Sequence, residues 1–280
     1  MKKFIKISFV LVITSLLLCC NKAQNEVKEN TIPKSIVSLS PAATEILYAI
    51  GASDQIAAVS QFSNYPSEAA SKPVVGGFDG NTLSLETILS FEPDLVYLTE
   101  GMHNFLIPGL EENKISYFVS NATTLQAVYD EILEVGKITA HESEANEVVQ
   151  KMQEDFEKGY YSKGEYKVYY EVWNAPYMSI GSTSFMNDIL KYSGGVNIFE
   201  DLSDAYPVVS EEEIIARNPD VIILPSENGL TKEDIKARKG WENINAVKNN
   251  FIYFIDSDLY SRPGPRIIDA ILQLRSLLFV

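Results

Sequence analysis

From Ser35 onward, short apolar runs of strand length alternate with stretches in which apolar residues recur every three or four positions. "SIVSLS", "IAAVSQ" and "SYFVS" read as strands, whereas "AATEILYAIG" and "FLIPGLEENKI" read as helices. Pro41 suits the first turn of a helix and Gly51 its C-terminal cap. The second half repeats the alternation with "YKVYYEVW", "SFMNDILKYSGG", "KEDIKARKGW", "FIYFID" and a closing helix near "RIIDAILQLRSLL". Strands alternating with helices predict α/β architecture with parallel, right-handed, doubly wound sheets.

One stretch occurs twice. "LSLETILSFEPDLVYL" at 83–98 aligns without a gap to "VSEEEIIARNPDVIIL" at 209–224, an offset of 126, with identities at Ser84, Glu86, Ile88, Pro93, Asp94 and Leu98. Each copy reads as a short amphipathic helix, a Pro-Asp break and a β-rich strand. The period is far longer than the roughly 20–50 residues of solenoid repeats, so the duplicated unit is a lobe. Between the copies, Ala145, Val148, Val149, Met152, Phe156 and Tyr160 fall on one helical face, sustained to about Ser162. The expected organisation is a first lobe over 34–139, a connecting helix over 140–163 and a second lobe over 164–280. A helical connection flexes little, which predicts only a small hinge motion.

The N-terminus changes the picture. Lys2, Lys3 and Lys6 precede an apolar stretch from Phe9 to Leu18, too short to span a bilayer comfortably and typical of an export signal. The two cysteines, Cys19 and Cys20, close that stretch, in a pattern similar to bacterial lipoprotein signals. Cutting after 1–19 would leave Cys20 to carry the lipid, followed by a polar tether over 20–33. No thiol then remains for a disulfide, so the core alone must hold the fold. Losing three lysines with the signal takes the formal net charge from −15 to −18, which argues against nucleic acid as a partner.

Catalytic signatures are sparse. The folded part carries two histidines, His103 and His141, and lacks a nucleophile elbow, a phosphate loop and a dinucleotide fingerprint. His141 is expected to be solvated or to cap the connecting helix. "DSD" at 256–258 keeps an acidic-site hydrolase as the reading from another class. The loops after the strands instead carry aromatic side chains: Phe62, Tyr65, Phe78, Trp173, Tyr177, Tyr206 and Tyr260. Ligands of open α/β sheets sit beyond the carboxyl ends of the strands, so rings from both halves are expected to share one cleft. Trp241, at a helix end, is expected to pack between helix and sheet.

The ordered stretches "SIVSLSPAATEILYAIG", "GGFDGNTLSLETILSFEPDLVYL", "VSEEEIIARNPDVIIL", "GWENINAVKNNFIYFID" and "SRPGPRI" resemble the substrate-binding lipoproteins of ABC importers for iron-siderophores, haem and vitamin B12, and within that family the B12 binders. The resemblance implies two Rossmann-like lobes bridged by one long helix, acting as a monomer that hands its ligand to a permease dimer and its ATPase. The implied ligand is a cobalt corrinoid or an iron chelate, with no resident cofactor and only a lipid anchor in the membrane. By position, Phe62 and Phe78 match ligand contacts of the first lobe, and Trp173, Tyr177, Asp258 and Arg262 match the ligand-facing loops of the second. Glu86 and Glu212 match carboxylates that dock on the two permease subunits. Two departures leave the ligand open: two extra residues between Phe78 and Glu86, and Leu259 where the B12 binders tend to place an aromatic. His103 beside Met102 is a candidate imidazole contact to cobalt or iron.

Overall fold

The computed structural model describes residues 31–77, 79–158 and 166–279. The signal segment, Cys19, Cys20, most of the tether, Phe78 and the expected end of the connecting helix beyond Lys158 lie outside the described residues.

The first lobe runs β1 (Ile36–Ser38), α1 (Pro41–Ala49), β2 (Ile56–Val59), α2 (Leu85–Leu89), β3 (Leu95–Thr99), α3 (Ile107–Glu112), β4 (Ser116–Ser120) and α4 (Leu125–Thr139). α5 (Glu142–Lys158) follows. The second lobe runs β5 (Tyr166–Tyr170), the hairpin β6 (Trp173–Asn174) and β7 (Tyr177–Met178), α6 (Phe185–Tyr192), β8 (Gly195–Asn197), α7 (Glu211–Arg217) and β9 (Val221–Pro225). It closes with α8 (Lys232–Lys236), α9 (Asn245–Lys248), β10 (Ile252–Ile255), α10 (Ser257–Ser261) and α11 (Ile267–Leu278).

Each lobe holds a four-stranded parallel sheet, ordered β2-β1-β3-β4 in the first and β8-β5-β9-β10 in the second. The orders are the same once β5 is matched to β1, β8 to β2, β9 to β3 and β10 to β4. Both β3 and β9 are central and almost wholly buried, as expected of β-branched runs covered by helices on both faces.

The repeat is preserved in backbone turn and strand-tying hydrogen bond at its Pro-Asp break. Asp94 Oδ2 accepts from the backbone N–H groups of Lys34 and Ser35 at the entry to β1, and Asp220 Oδ2 accepts from Lys167 N–H at the entry to β5. Glu92 and Asn218, the paired positions two residues earlier, both turn the chain through left-handed backbone, at φ 48° and 47°. Each carboxylate therefore ties the start of one central strand to the start of its neighbour.

One apolar cluster runs from Ile36 and Leu47 of the first lobe through Ala145, Val149 and Met152 of α5 to Val168, Leu190 and Ile271 of the second. α5 packs on α4 and α1 on one side and α11 on the other, so it lies against both lobes instead of standing clear as a free strut. Gly136 permits its close approach to α4, since a Cβ there would lie 2.4 Å from that of Ala145. The remaining sheet faces are covered separately, by clusters around Val37, Val96 and Leu110 in the first lobe and Ile222, Ile235 and Trp241 in the second. His141, just before α5, donates from Nδ1 to the Thr139 carbonyl at 2.9 Å. Among the described residues no helix is long and apolar enough to cross a membrane.

Candidate functional site

A cleft of about 350 Å³ opens where the carboxyl ends of the strands of the two lobes meet. From the first lobe it is lined by Ser40–Ala42 after β1, Phe62 after β2, Thr99 and Met102 at the end of β3, and Ser120 at the end of β4. Tyr206 and the segment holding Asp258, Arg262 and Pro263 line the opposite wall. Phe62, Met102 and Tyr206 each keep more than two-fifths of their surface open, giving the cleft an aromatic and thioether lining suited to a flat, largely apolar ligand.

Beneath Ser120 the polar groups are engaged with one another. Ser120 Oγ donates to Glu131 Oε2 at 2.9 Å, and Tyr97 Oη donates to Glu131 Oε1 at 2.5 Å. Burial nevertheless pushes the Glu131 carboxyl above its usual range. Arg262 is only 6 % exposed; its guanidinium bonds Glu45 Oε1 at 3.0 Å, Asn64 Oδ1 at 2.8 Å, the Phe62 carbonyl at 3.2 Å and Asp258 Oδ2 at 2.5 Å. It shapes the wall with its carbon chain, but its charge is already spent on the protein.

Several expected site residues stand elsewhere, and the structure corrects them. Tyr260 is buried, donating its hydroxyl to Gln273 Oε1 at 2.8 Å, because the first turns of α10 rotate it away from the cleft into the core. Tyr65 lies under the guanidinium of Arg266, 3.8 Å from ring centroid to Cζ, and lines a second cavity of about 410 Å³ behind the cleft, against α1, α5 and α11. His103, the candidate imidazole contact to a metal, is fully buried. Its Nδ1 accepts from Thr99 N–H at 2.9 Å, which places the ring proton on Nε2, and desolvation lowers its pKa to about 4. The imidazole is therefore neutral and turned inward, while Met102 faces the cleft.

Trp173 and Tyr177 stand on the β6–β7 hairpin, outside the cleft lining. Trp173 is half exposed, its indole N–H bonded to the Ala175 carbonyl at 3.0 Å. Tyr177 packs at 5.9 Å against the ring of Trp241, which is buried as expected of a packing residue. Met178 pairs with Val208, and Ser179 N–H donates to the Pro207 carbonyl at 3.0 Å, so the hairpin joins the strand-like segment that follows the cleft residue Tyr206. Glu86 and Glu212 are exposed, each two residues past a serine N-cap, Ser84 on α2 and Ser210 on α7.

Sequence reasoning singles out neither Glu45, Asn64 nor Arg266, which converge behind Arg262. A signal exists: Glu45 is the one charged residue in α1, "PAATEILYA", and Arg262 and Arg266 follow one another at helical spacing.

The Periplasmic binding protein family model matches residues 36–259, four-fifths of the chain. The chain belongs to the periplasmic binding protein family. It is 32 % identical over 258 residues to the ABC transporter substrate-binding lipoprotein YvrC of Bacillus subtilis, itself named as uncharacterized, covering 88 % of this chain and 80 % of that one. The solved vitamin B12 binding protein BtuF of Vibrio cholerae is 28 % identical, with a TM-score of 0.78 over 89 % of this periplasmic binding protein and 97 % of BtuF. The haem binding protein HutB of Vibrio cholerae shares the fold at 23 % identity and a TM-score of 0.78, covering 88 % of this chain and 99 % of that one.

Proposed function

We propose that the protein is the substrate-binding component of an ABC importer, capturing a bulky metal chelate between its lobes and delivering it to a permease. The carrying observation is the aromatic-lined cleft at the strand ends of both lobes. The likeness to the vitamin B12 binding protein BtuF supports a corrinoid cargo, and the likeness to an ABC transporter substrate-binding lipoprotein supports the importer role. Phe62 and Tyr206 would bear on the faces of such a ligand, with the Trp173–Tyr177 hairpin at the margin and Asp258 offering its carboxylate at the wall; a ligand contact by Phe78 rests on the family resemblance alone. Cobalt or iron would arrive as part of the cargo. The protein binds and releases without covalent chemistry, and Glu86 and Glu212 meet the two subunits of a permease dimer driven by its ATPase. Lipidation of Cys20 would hold the protein, as a monomer, at the outer face of the cytoplasmic membrane or in the periplasm. The domain boundaries given by the sequence, with lobes over 34–139 and 164–280, belong to this reading.

Titration of the purified protein with cyanocobalamin, haemin and a ferric hydroxamate, followed by Trp173 and Trp241 fluorescence and calorimetry, tests the proposal. Saturable one-to-one binding of cyanocobalamin is expected. Binding of haemin or the ferric hydroxamate instead would move the cargo to an iron chelate. Binding of none, with turnover of a chromogenic glycoside dependent on Asp256 and Asp258, would favour the hydrolase reading.

A further inference from the structure

Glu45 projects from the middle of α1 in the first lobe, yet its carboxylate is 3 % exposed and collects two guanidinium groups from the second lobe. Arg262 reaches Oε1 at 3.0 Å, while Arg266 binds in fork fashion, Nε to Oε2 at 2.8 Å and Nη2 to Oε1 at 2.6 Å. Asn64, also of the first lobe, accepts from Arg262 at 2.8 Å and donates to Asp258 Oδ2 at 3.0 Å. Two carboxylates, Glu45 and Asp258, thus balance two guanidinium groups. The cluster is a septum: Arg262 and Asp258 line the front cleft, and Glu45 and Arg266 line the cavity behind it.

We infer that Glu45 is the positioning residue that sets the width of the cleft, by fixing the second lobe against the first through Arg262 and Arg266. Other contacts also cross between lobes. The apolar cluster runs through α5, and Asp188 of α6 accepts from Leu125 N–H at the start of α4 at 2.7 Å. Apolar contact is non-directional and tolerates sliding, whereas a forked guanidinium–carboxylate pair holds both distance and orientation. Being buried, the pair is also hard to break halfway, since a loosened member would be left as an uncompensated charge. The cleft is therefore held at one width before any ligand arrives, and selects cargo by shape instead of closing around it. That last consequence rests on the proposed function, but the positioning role does not.

The test uses no ligand, so its failure and that of the proposed function are separable. In the full chain with Cys19 and Cys20 replaced by serine, spin labels go on Glu112→Cys in the first lobe and Lys239→Cys in the second, both exposed, and pulsed dipolar spectroscopy reads the distance distribution between lobes. The parent should give one narrow distance. Glu45→Gln should widen it roughly twofold, and Arg266→Gln, which leaves one arm, should widen it less. Arg238→Gln is the control: it breaks a buried pair with Glu171 inside the second lobe, and should lower the melting temperature while leaving the width unchanged. Where Glu45→Gln does not fold, Arg266→Gln decides. A parental width in the folded variants of Glu45 or Arg266, or equal broadening in Arg238→Gln, would overturn the inference.

Discussion

Glu86 and Glu212 occupy the same place in two helices: each follows a capping serine by two residues, at the second position of α2 and α7. Neither side chain has a hydrogen bond or ion pair with the described residues, although both benefit from the positive end of their helix. Residue pairs 92/218 and 94/220 keep the equivalence in φ and in hydrogen bonding, so the two carboxylates are presented by the same local frame.

If the two carboxylates dock on basic surfaces of the permease, as the proposed function implies, replacing both glutamates with lysine is expected to leave ligand affinity and melting temperature close to those of the parent while abolishing uptake through the importer, since like charges would then face one another. Isothermal titration and a whole-cell uptake assay separate the two effects. Normal transport by the double variant, or loss of ligand binding in it, would remove the docking role.

The cleft gives a second expectation. Phe62→Ala and Tyr206→Ala each remove an aromatic face that lines it, and should weaken ligand binding by about 1–3 kcal/mol if the face is desolvated in the complex. Trp173→Ala, on the adjoining hairpin and outside the lining, should cost less than either. Equal or larger loss from Trp173→Ala by calorimetry would mean that the ligand rides on the hairpin.

The alternation of strand and helix, the duplication and the location of the cleft were legible because they are written in periodicity, in Pro-Asp breaks and in loops that follow strands. Phe62 and Tyr206 were legible for the same reason. Tyr65 and Tyr260 carry the same chemistry in the same kind of loop, and only the packing of one lobe on the other decides that one ring supports Arg266 and the other enters the core. The burial of His103 likewise follows from a turn in which its backbone N–H donates to the Thr99 carbonyl at 3.0 Å, and nothing in "EGMHNF" announces that turn. Glu45 left a trace as the lone charge of an apolar helix, but its partners lie 217 and 221 residues away, a distance no local pattern spans.

His103 sets a pH dependence. Its folded pKa, about 4, lies below the unfolded value near 6.5, so the folded state resists protonation that the unfolded state accepts. The stability associated with the neutral ring is present above pH 6.5 and is lost as pH falls toward 4. His103→Asn, whose side-chain oxygen can still accept from Thr99 N–H, should flatten the decline in urea-unfolding free energy between pH 6.5 and 4. An unchanged slope would assign the acid sensitivity to other groups.

Arg238 makes the sharpest stability prediction. Its guanidinium bonds both oxygens of Glu171, at 2.5 and 2.8 Å, and lies over the rings of Trp241 and Tyr177, 4.5 and 5.2 Å from their centroids. Trp241 in turn donates its indole N–H to Glu211 Oε1 at 2.9 Å, at the first turn of α7. Since Glu171 is fully buried, removing the cation leaves a carboxylate with no water to stabilise it, and Arg238→Gln should lower unfolding free energy by about 3–5 kcal/mol. Arg238→Lys keeps the charge but not the fork or the stacking, and should fall between the two. Replacing both partners, as Glu171→Gln with Arg238→Gln, removes the orphaned charge and should recover part of the loss, because a buried pair costs most when only one member is taken away. Urea denaturation of the parent, Glu171→Gln, Arg238→Gln and the double variant gives the cycle directly, and strict additivity of the two single losses would show that the pair is not coupled.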